Sequence, residues 1–221
     1  MREPVAWKWL GRRVYDDALA QQTAAWETRR AGGSDVCLAL EHPPTVTLGK
    51  RAGAADLRVS EDLLAARGIA CARVERGGFA TYHGPGQLVL YPIVALAPRG
   101  FGVGTFVAAL EAIMIDLAAV FGVAARRDPR GRGVWTERGK LGAVGIRVRD
   151  GISTHGLALN VDVDLQAFDV IAPCGMPGVA VTSLRREGTA AALPQVATAA
   201  QAIACRHLAA APDAERWRAA V

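Results

Sequence analysis

The stretch Lys140–Val161, KLGAVGIRVRDGISTHGLALNV, decides the fold. Two apolar, strand-like runs, Lys140–Val148 and Ser153–Val161, flank the pair Asp150-Gly151, which suits the two left-handed positions of a tight hairpin turn. Working outward, Gly133–Thr136 reads as a strand just before this hairpin. Val36–Leu40, Thr45–Leu48, Val74, Ala80–Tyr82 and Leu88–Val94 read as strands further upstream. Helices are predicted from Asp16-Asp17 to about Arg30, after the cap Ser60-Glu61-Asp62, and over Thr105–Phe121. In Thr105–Phe121 the residues Phe106, Leu110, Ile113, Met114, Leu117 and Phe121 fall on one face, the mark of a core helix. Hairpins interleaved with helices, without a repeated βαβ period, predict an α/β (α+β) fold: a mixed sheet with helices packed on it.

The 221 residues form one expected domain spanning 1–221, with an alanine-rich helical part over 190–221. Composition is that of a globular protein, 51% hydrophobic and 21% charged. The N-terminal MREPVAWKWLGRR has no continuous apolar run that would act as a signal sequence. Val107–Phe121, interrupted by Glu111 and Asp116, is read as too short and too charged to span a bilayer. A cytoplasmic protein without a membrane partner is therefore expected. Net charge is +5 and the pI about 9.4, which suits an acidic protein partner. The basic residues are scattered and carry no aromatic interleaving, so nucleic acid is not expected.

Four cysteines, Cys37, Cys71, Cys174 and Cys205, form no CxxC pair and are expected as free thiols. Cys37 and Cys71 in apolar strands, and Cys205 in a helix, read as small buried hydrophobes. Cys174 differs: Pro173-Cys174-Gly175 and Pro177-Gly178 form a turn in which a thiol is accessible. Its reactivity requires a thiolate, and a nearby ammonium stabilises one. Lys140 is the only lysine after Lys50. Lysine, unlike arginine, can shuttle a proton, although a surface lysine at a strand end is an equal reading here. Upstream, Arg76–Pro92 (RGGFATYHGPGQLVLYP) brackets Thr81, Tyr82 and His83 between Gly77-Gly78 and Gly84-Pro85-Gly86. Glycines without side chains let a ligand approach the main chain. This is neither a dinucleotide nor a P-loop fingerprint. No Ser-His-Asp or metal-ligand spacing occurs, so no metal is expected. His83 and His155 remain open between base, substrate contact and structural hydrogen-bonder.

On EHPPTVTLGK (41–50), RGGFATYHGPGQLVLYPI (76–93), KLGAVGIRV (140–148), THGLALNVDVDLQAF (154–168) and APCGMPGVAVTSL (172–184), in that order, the chain resembles the lipoyl(octanoyl) transferases. The resemblance implies the single α/β domain shared by lipoate and biotin protein ligases. It implies Cys174 as thioester nucleophile and Lys140 as its proton-shuttling partner. It further implies substrate contacts from Arg76, Gly77, Gly78, Phe79, Ala80, Thr81, Tyr82 and His83, from Ala143, Val144 and Gly145, and from Gly156, Leu157 and Ala158. The implied donor is octanoyl acyl carrier protein. The implied acceptors are lipoyl domains of 2-oxoacid dehydrogenases and the glycine cleavage H protein. No cofactor is implied, because exchanging one thioester for another needs no ATP. Backbone N–H groups near Gly175 or the Gly77-Gly78 turn are expected to hold the oxyanion. Two alternatives stand beside this reading: an ATP-dependent lipoate ligase on the same fold, and a carrier-binding protein that retains no acyl group.

Overall fold

The computed structural model describes residues 3–172 and 179–211. Among the described residues, ten strands and four α-helices follow in the order β1 (Ala6–Arg12), α1 (Tyr15–Arg30), β2 (Val36–Glu41), β3 (Thr45–Leu48), α2 (Glu61–Ala66), β4 (Ala70–Arg73), β5 (Ala80–His83), β6 (Gln87–Ile93), α3 (Val103–Val120), β7 (Arg126–Asp128), β8 (Gly131–Thr136), β9 (Gly139–Arg149), β10 (Ile152–Asn160) and α4 (Leu193–Ala209). Seven strands form one sheet in the order β1-β2-β6-β10-β9-β8-β7, and β4-β3-β5 form a second. Only β1/β2 and β3/β4 run parallel, so the sheets are mixed, as the hairpin pattern predicts.

The β9–β10 turn follows its sequence. Asp150 and Gly151 sit at φ 52° and 73°, the left-handed pair a two-residue hairpin requires. Ser60 caps α2 by accepting the Leu63 N–H at 3.2 Å, and Gly68 closes that segment at φ 68°. The apolar stripe of α3 is core: Phe106, Leu110, Ile113, Met114 and Leu117 are fully buried. The sheet face opposite supplies Leu88, Leu90, Leu157 and Leu159, and α4 covers the helix with Val196, Ala200 and Ile203. By length and composition α3 is in fact long and apolar enough to cross a membrane. Its packing between sheet and α4 accounts for that apolarity. The other sheet face is covered by α1 through Ala18 and Trp26, and a third core under the small sheet joins Val46, Leu48, Tyr82 and Phe168.

Some local readings differ. Of the helical part expected over 190–221, the structure describes a helix over Leu193–Ala209, and residues 212–221 lie outside the described ones. Cys37 is fully buried, but Cys71 on an edge strand and Cys205 on α4 are only half-buried. The Gly84-Pro85-Gly86 turn is packing, not a ligand wall. Gly86, at φ 84°, leaves no room for a Cβ, which would lie 2.7 Å from the Asp162 carbonyl. Its own carbonyl accepts from the N–H groups of Val161 and Asp162 at 3.1 and 2.9 Å.

Asp35 ties three elements together. Its buried carboxylate accepts from the Ala95 N–H at 2.9 Å, from Arg29 of α1 and from Arg99. Arg99 in turn donates to the carbonyls of Leu208 and Ala209 at the end of α4, and to that of Glu3. Removing the carboxylate takes the acid partner from the buried Arg99 guanidinium. Asp35→Ala is expected to lower unfolding free energy by about 3–5 kcal/mol, read from urea denaturation midpoints. An unchanged midpoint would show that the network is dispensable.

Candidate active site

A cavity of about 710 Å³ opens between the 76–81 loop, the β9–β10 hairpin and the N-terminus of α1. In register across the hairpin, Ala143 faces Ala158 and Gly145 faces Gly156. Val144 and Leu157 pack toward the α3 core, and the small residues alternate with them on the other face. Size is enforced at two of these positions. A Cβ on Gly156 would lie 2.1 Å from the Leu90 carbonyl oxygen, and one on Gly145 3.0 Å from Cδ of Arg76.

Arg76 builds the loop that roofs the slot. Its Nη1 donates to the carbonyls of Gly77 and Phe79 at 3.1 and 3.0 Å, and its Nη2 to the carbonyl and hydroxyl of Thr47, both at 2.8 Å. The loop is thereby folded onto β3, and the Gly77 N–H ties it to β9 through the Ile146 carbonyl at 2.9 Å. That N–H is therefore committed, and of the turn's two N–H groups it is not the one left for an oxyanion. Gly49 is needed beneath: a Cβ there would come within 2.7 Å of Nη1.

Lys140 occupies the start of β9 at 4% exposure, which excludes the surface-lysine reading. Its Nζ lies 5.1 Å from the centre of the fully buried Trp135 ring. Its main chain clamps the segment after the cysteine turn: its N–H donates to Ala180 at 2.9 Å, and its carbonyl accepts from Thr182 at 3.0 Å. Glu187 holds the same segment by accepting from the hydroxyls of Thr136 and Thr182 at 2.8 and 2.6 Å. Cys174 itself lies outside the described residues, as do Pro173 and 175–178.

Of the contacts implied by resemblance, Arg76, Gly77, Gly78, Phe79, Ala80, Thr81 and His83 line the cavity, with Ala143, Val144, Gly145, Gly156, Leu157, Ala158 and Lys140. Tyr82 does not. Strand alternation turns it to the third core, where its ring meets Phe168 edge-on at 5.3 Å. Sequence reading missed Tyr15 and Tyr91, which also line the cavity. Both look like ordinary core aromatics in one dimension. His155 joins them from β10 with an unusual backbone, φ 56°. Its N–H leaves the strand ladder for Oε1 of Gln22 on α1 at 2.7 Å.

The three histidines here are held below the ordinary imidazole range. Burial pushes His83 down to about 3, aided by the adjacent His42. Burial, then the Arg76 charge, takes His155 down to about 4. Burial also lowers His42, against a hydrogen bond to the Arg13 carbonyl.

Residues 14–206 match the lipoyl protein ligase A/B catalytic domain. An octanoyltransferase of Desulfotalea psychrophila is 50% identical over 182 residues, covering 80% of this chain and 82% of its own. The mitochondrial octanoyltransferase LIP2 of Arabidopsis thaliana is 44% identical, covering 85% and 81%. Among solved structures, a lipoate-protein ligase A bound with ATP superposes at TM-score 0.76, with 93% of this chain and 86% of that one covered. At 17% identity, that likeness establishes the shared fold alone. With half of the aligned positions identical to a relative of nearly equal extent, the chain belongs to the lipoyl protein ligase A/B catalytic-domain family and, within it, to the octanoyltransferases.

Proposed function

We propose that this octanoyltransferase carries its acyl group on Cys174 as a thioester, taken from acyl carrier protein and passed to a lysine of a lipoyl domain. The observation that carries the reading is the buried Lys140 lining a cavity walled by small residues. Its N–H holds Ala180, six positions beyond Cys174. In the first step the Cys174 thiolate attacks the donor carbonyl. The carbon–sulfur bond to the carrier breaks, and the departing thiolate takes a proton from the Lys140 ammonium. In the second, the acceptor amine attacks the new thioester, an amide forms, and the displaced thiolate of Cys174 is restored. Lys140, now an amine, accepts the proton that the acceptor nitrogen gives up. The thioester-to-thioester exchange is close to isoenergetic and amide formation runs downhill, so no ATP enters.

Proton transfer falls to Lys140 because the histidines that line the same cavity, His83 and His155, are poor carriers. Groups held neutral far below their ordinary range do not take up a proton at physiological pH. The cavity also carries a basic rim that suits an acidic carrier or lipoyl domain: Arg51 lies 4.5 Å above the Phe79 ring and Arg130 4.4 Å above Trp135. We place the reaction in the cytoplasm, where its thiols stay reduced.

Mixing the protein with octanoyl carrier and no ATP is expected to add one octanoyl group at Cys174, seen by mass spectrometry of the peptide. An adduct that forms only with ATP would favour the ligase chemistry instead. Cys174→Ser is expected to abolish the thioester, and Lys140→Arg to cut turnover by at least 100-fold with the fold intact by circular dichroism. Wild-type rates in Lys140→Arg would remove the proton-shuttle role.

The neutral histidines set the direction of acid sensitivity. Below pH 6.5 the unfolded chain binds protons that folded His83 and His155 refuse, so stability present at neutral pH is lost as pH falls. Each contributes about 1 kcal/mol per pH unit down to its folded value. Urea midpoints measured between pH 7.5 and 4.5 should decline; a rise over that window would contradict the buried neutral state.

A further inference from the structure

The transfer chemistry makes no use of Glu111, a buried acid in the apolar core helix α3. Of the two acids in that helix, Asp116 meets His207 and Arg206 toward the surface, whereas Glu111 is 3% exposed. Both oxygens of Glu111 are engaged. Oε2 accepts from Nε of Arg127 at 3.0 Å, and Oε1 accepts the main-chain N–H of Gly133 at 2.9 Å. A strand residue ordinarily gives that N–H to a neighbouring strand; Gly133 of β8 gives it to a helix side chain. The backbone of Gly133 stands at φ 111°, and a Cβ there would lie 2.2 Å from the Gly142 carbonyl oxygen. Glycine alone fits this conformation and this approach.

Next to Gly133 the ladder between β8 and β9 slips. Val134 pairs with Gly142, but Trp135 pairs with Lys140, so Leu141 is an extra residue on β9. The slip changes which face each side chain takes. Leu141 packs in the α3 core, and a Cβ on Gly142 would lie 2.5 Å from Sδ of Met114, so two consecutive residues face α3. Val144 continues on that face. Lys140 therefore turns the other way, onto the face of Ala143 and Gly145, with Nζ 5.1 Å from the centre of the Trp135 ring opposite. Had the alternation run unbroken, Lys140 would share a face with Gly142 and Val144 and drive an ammonium into apolar packing. One inserted residue thus decides whether the lysine reaches the cavity or the core.

Resting on the reading of Lys140 as proton shuttle, we infer that Glu111 is a positioning residue for the transfer reaction: by taking the Gly133 N–H it fixes the slip that aims Lys140 into the cavity. Its effect passes through the main chain of β8 and β9. Octanoyl-transfer kinetics and crystal structures of two variants test this. Glu111→Leu removes the acceptor at similar volume. It is expected to lower kcat about 100-fold, with KM for the octanoyl carrier within about threefold of wild type. In its crystal structure the Lys140 ammonium is expected to have left the Trp135 ring. Glu111→Gln keeps an oxygen for the Gly133 N–H and is expected to retain kcat within about fivefold. An equal loss in both variants, a loss that falls on KM, or a Lys140 ammonium still 5.1 Å from the ring centre in Glu111→Leu overturns the inference. If Glu111→Leu does not fold, amide hydrogen exchange decides. A Gly133 N–H that exchanges as fast as an exposed loop in the wild-type protein overturns the inference, and strong protection that Glu111→Gln preserves upholds it. Lys140→Arg reports separately on the shuttle: wild-type turnover there removes the functional reading, and the position of Lys140 in Glu111→Leu then decides the inference alone.

Discussion

A proline in a central strand governs the geometry of this cavity. Pro92 belongs to β6, which is flanked on both sides by other strands, yet it has no N–H to give. Pairing between β6 and β10 accordingly stops at Leu90 opposite Leu157. Contact resumes at Ser153, whose N–H reaches Val94 and whose hydroxyl donates to the Pro92 carbonyl at 2.7 Å. In the gap, His155 takes a left-handed backbone and hands its N–H to Gln22. Left-handed geometry at a side-chain-bearing residue is strained, and it persists only where surrounding contacts over-determine it. Here those contacts come from α1 on one side and the intact β9 ladder on the other. The local result is that His155 and Tyr91 are presented to the cavity, their rings edge-on at 6.1 Å.

Around that gap, positions are held by main-chain hydrogen bonds more than by side-chain pairs. Arg76 spends its guanidinium on the carbonyls of its own loop and of Thr47. Lys140 grips residues 180 and 182 through its backbone, and its buried ammonium lies 5.1 Å from the centre of the Trp135 ring. An arginine at 140 would retain the charge, yet it would have to fit a planar fork where a compact ammonium now sits, and it could not release a proton.

Local rules explain which parts of this structure were legible in the chain. The Asp150-Gly151 turn, the Ser60 cap and the α3 stripe each depend on residues within a few positions of one another. The sequence therefore displays their cause. Gly86 was misread because its glycine requirement comes from the Asp162 carbonyl, 76 positions away, and not from a ligand. Tyr82 shared the motif of its neighbours, but a period of two sends it to the opposite face. Tyr15 and Tyr91 gave no signal, since a tyrosine at a helix start and another in an apolar strand are indistinguishable from packing until the fold brings them around His42. Lys140 lay between the two cases. Its rarity in an arginine-rich chain was visible, whereas its burial was not.

The cavity holds two kinds of basic side chain, and they are kept in different states by their surroundings. Lys140 stands near the segment that leads to the thiol. His83 and His155 are pushed below the ordinary imidazole range, by burial first and then by neighbouring charge, with the Arg76 guanidinium acting on both. Arg76 itself is bound into its loop through the carbonyls of Gly77, Phe79 and Thr47, so its charge reaches the histidines from a fixed position. A permanent cation thus suppresses protonation of the imidazoles beside it, which leaves a lysine as the basic side chain of this cavity able to exchange a proton near neutral pH.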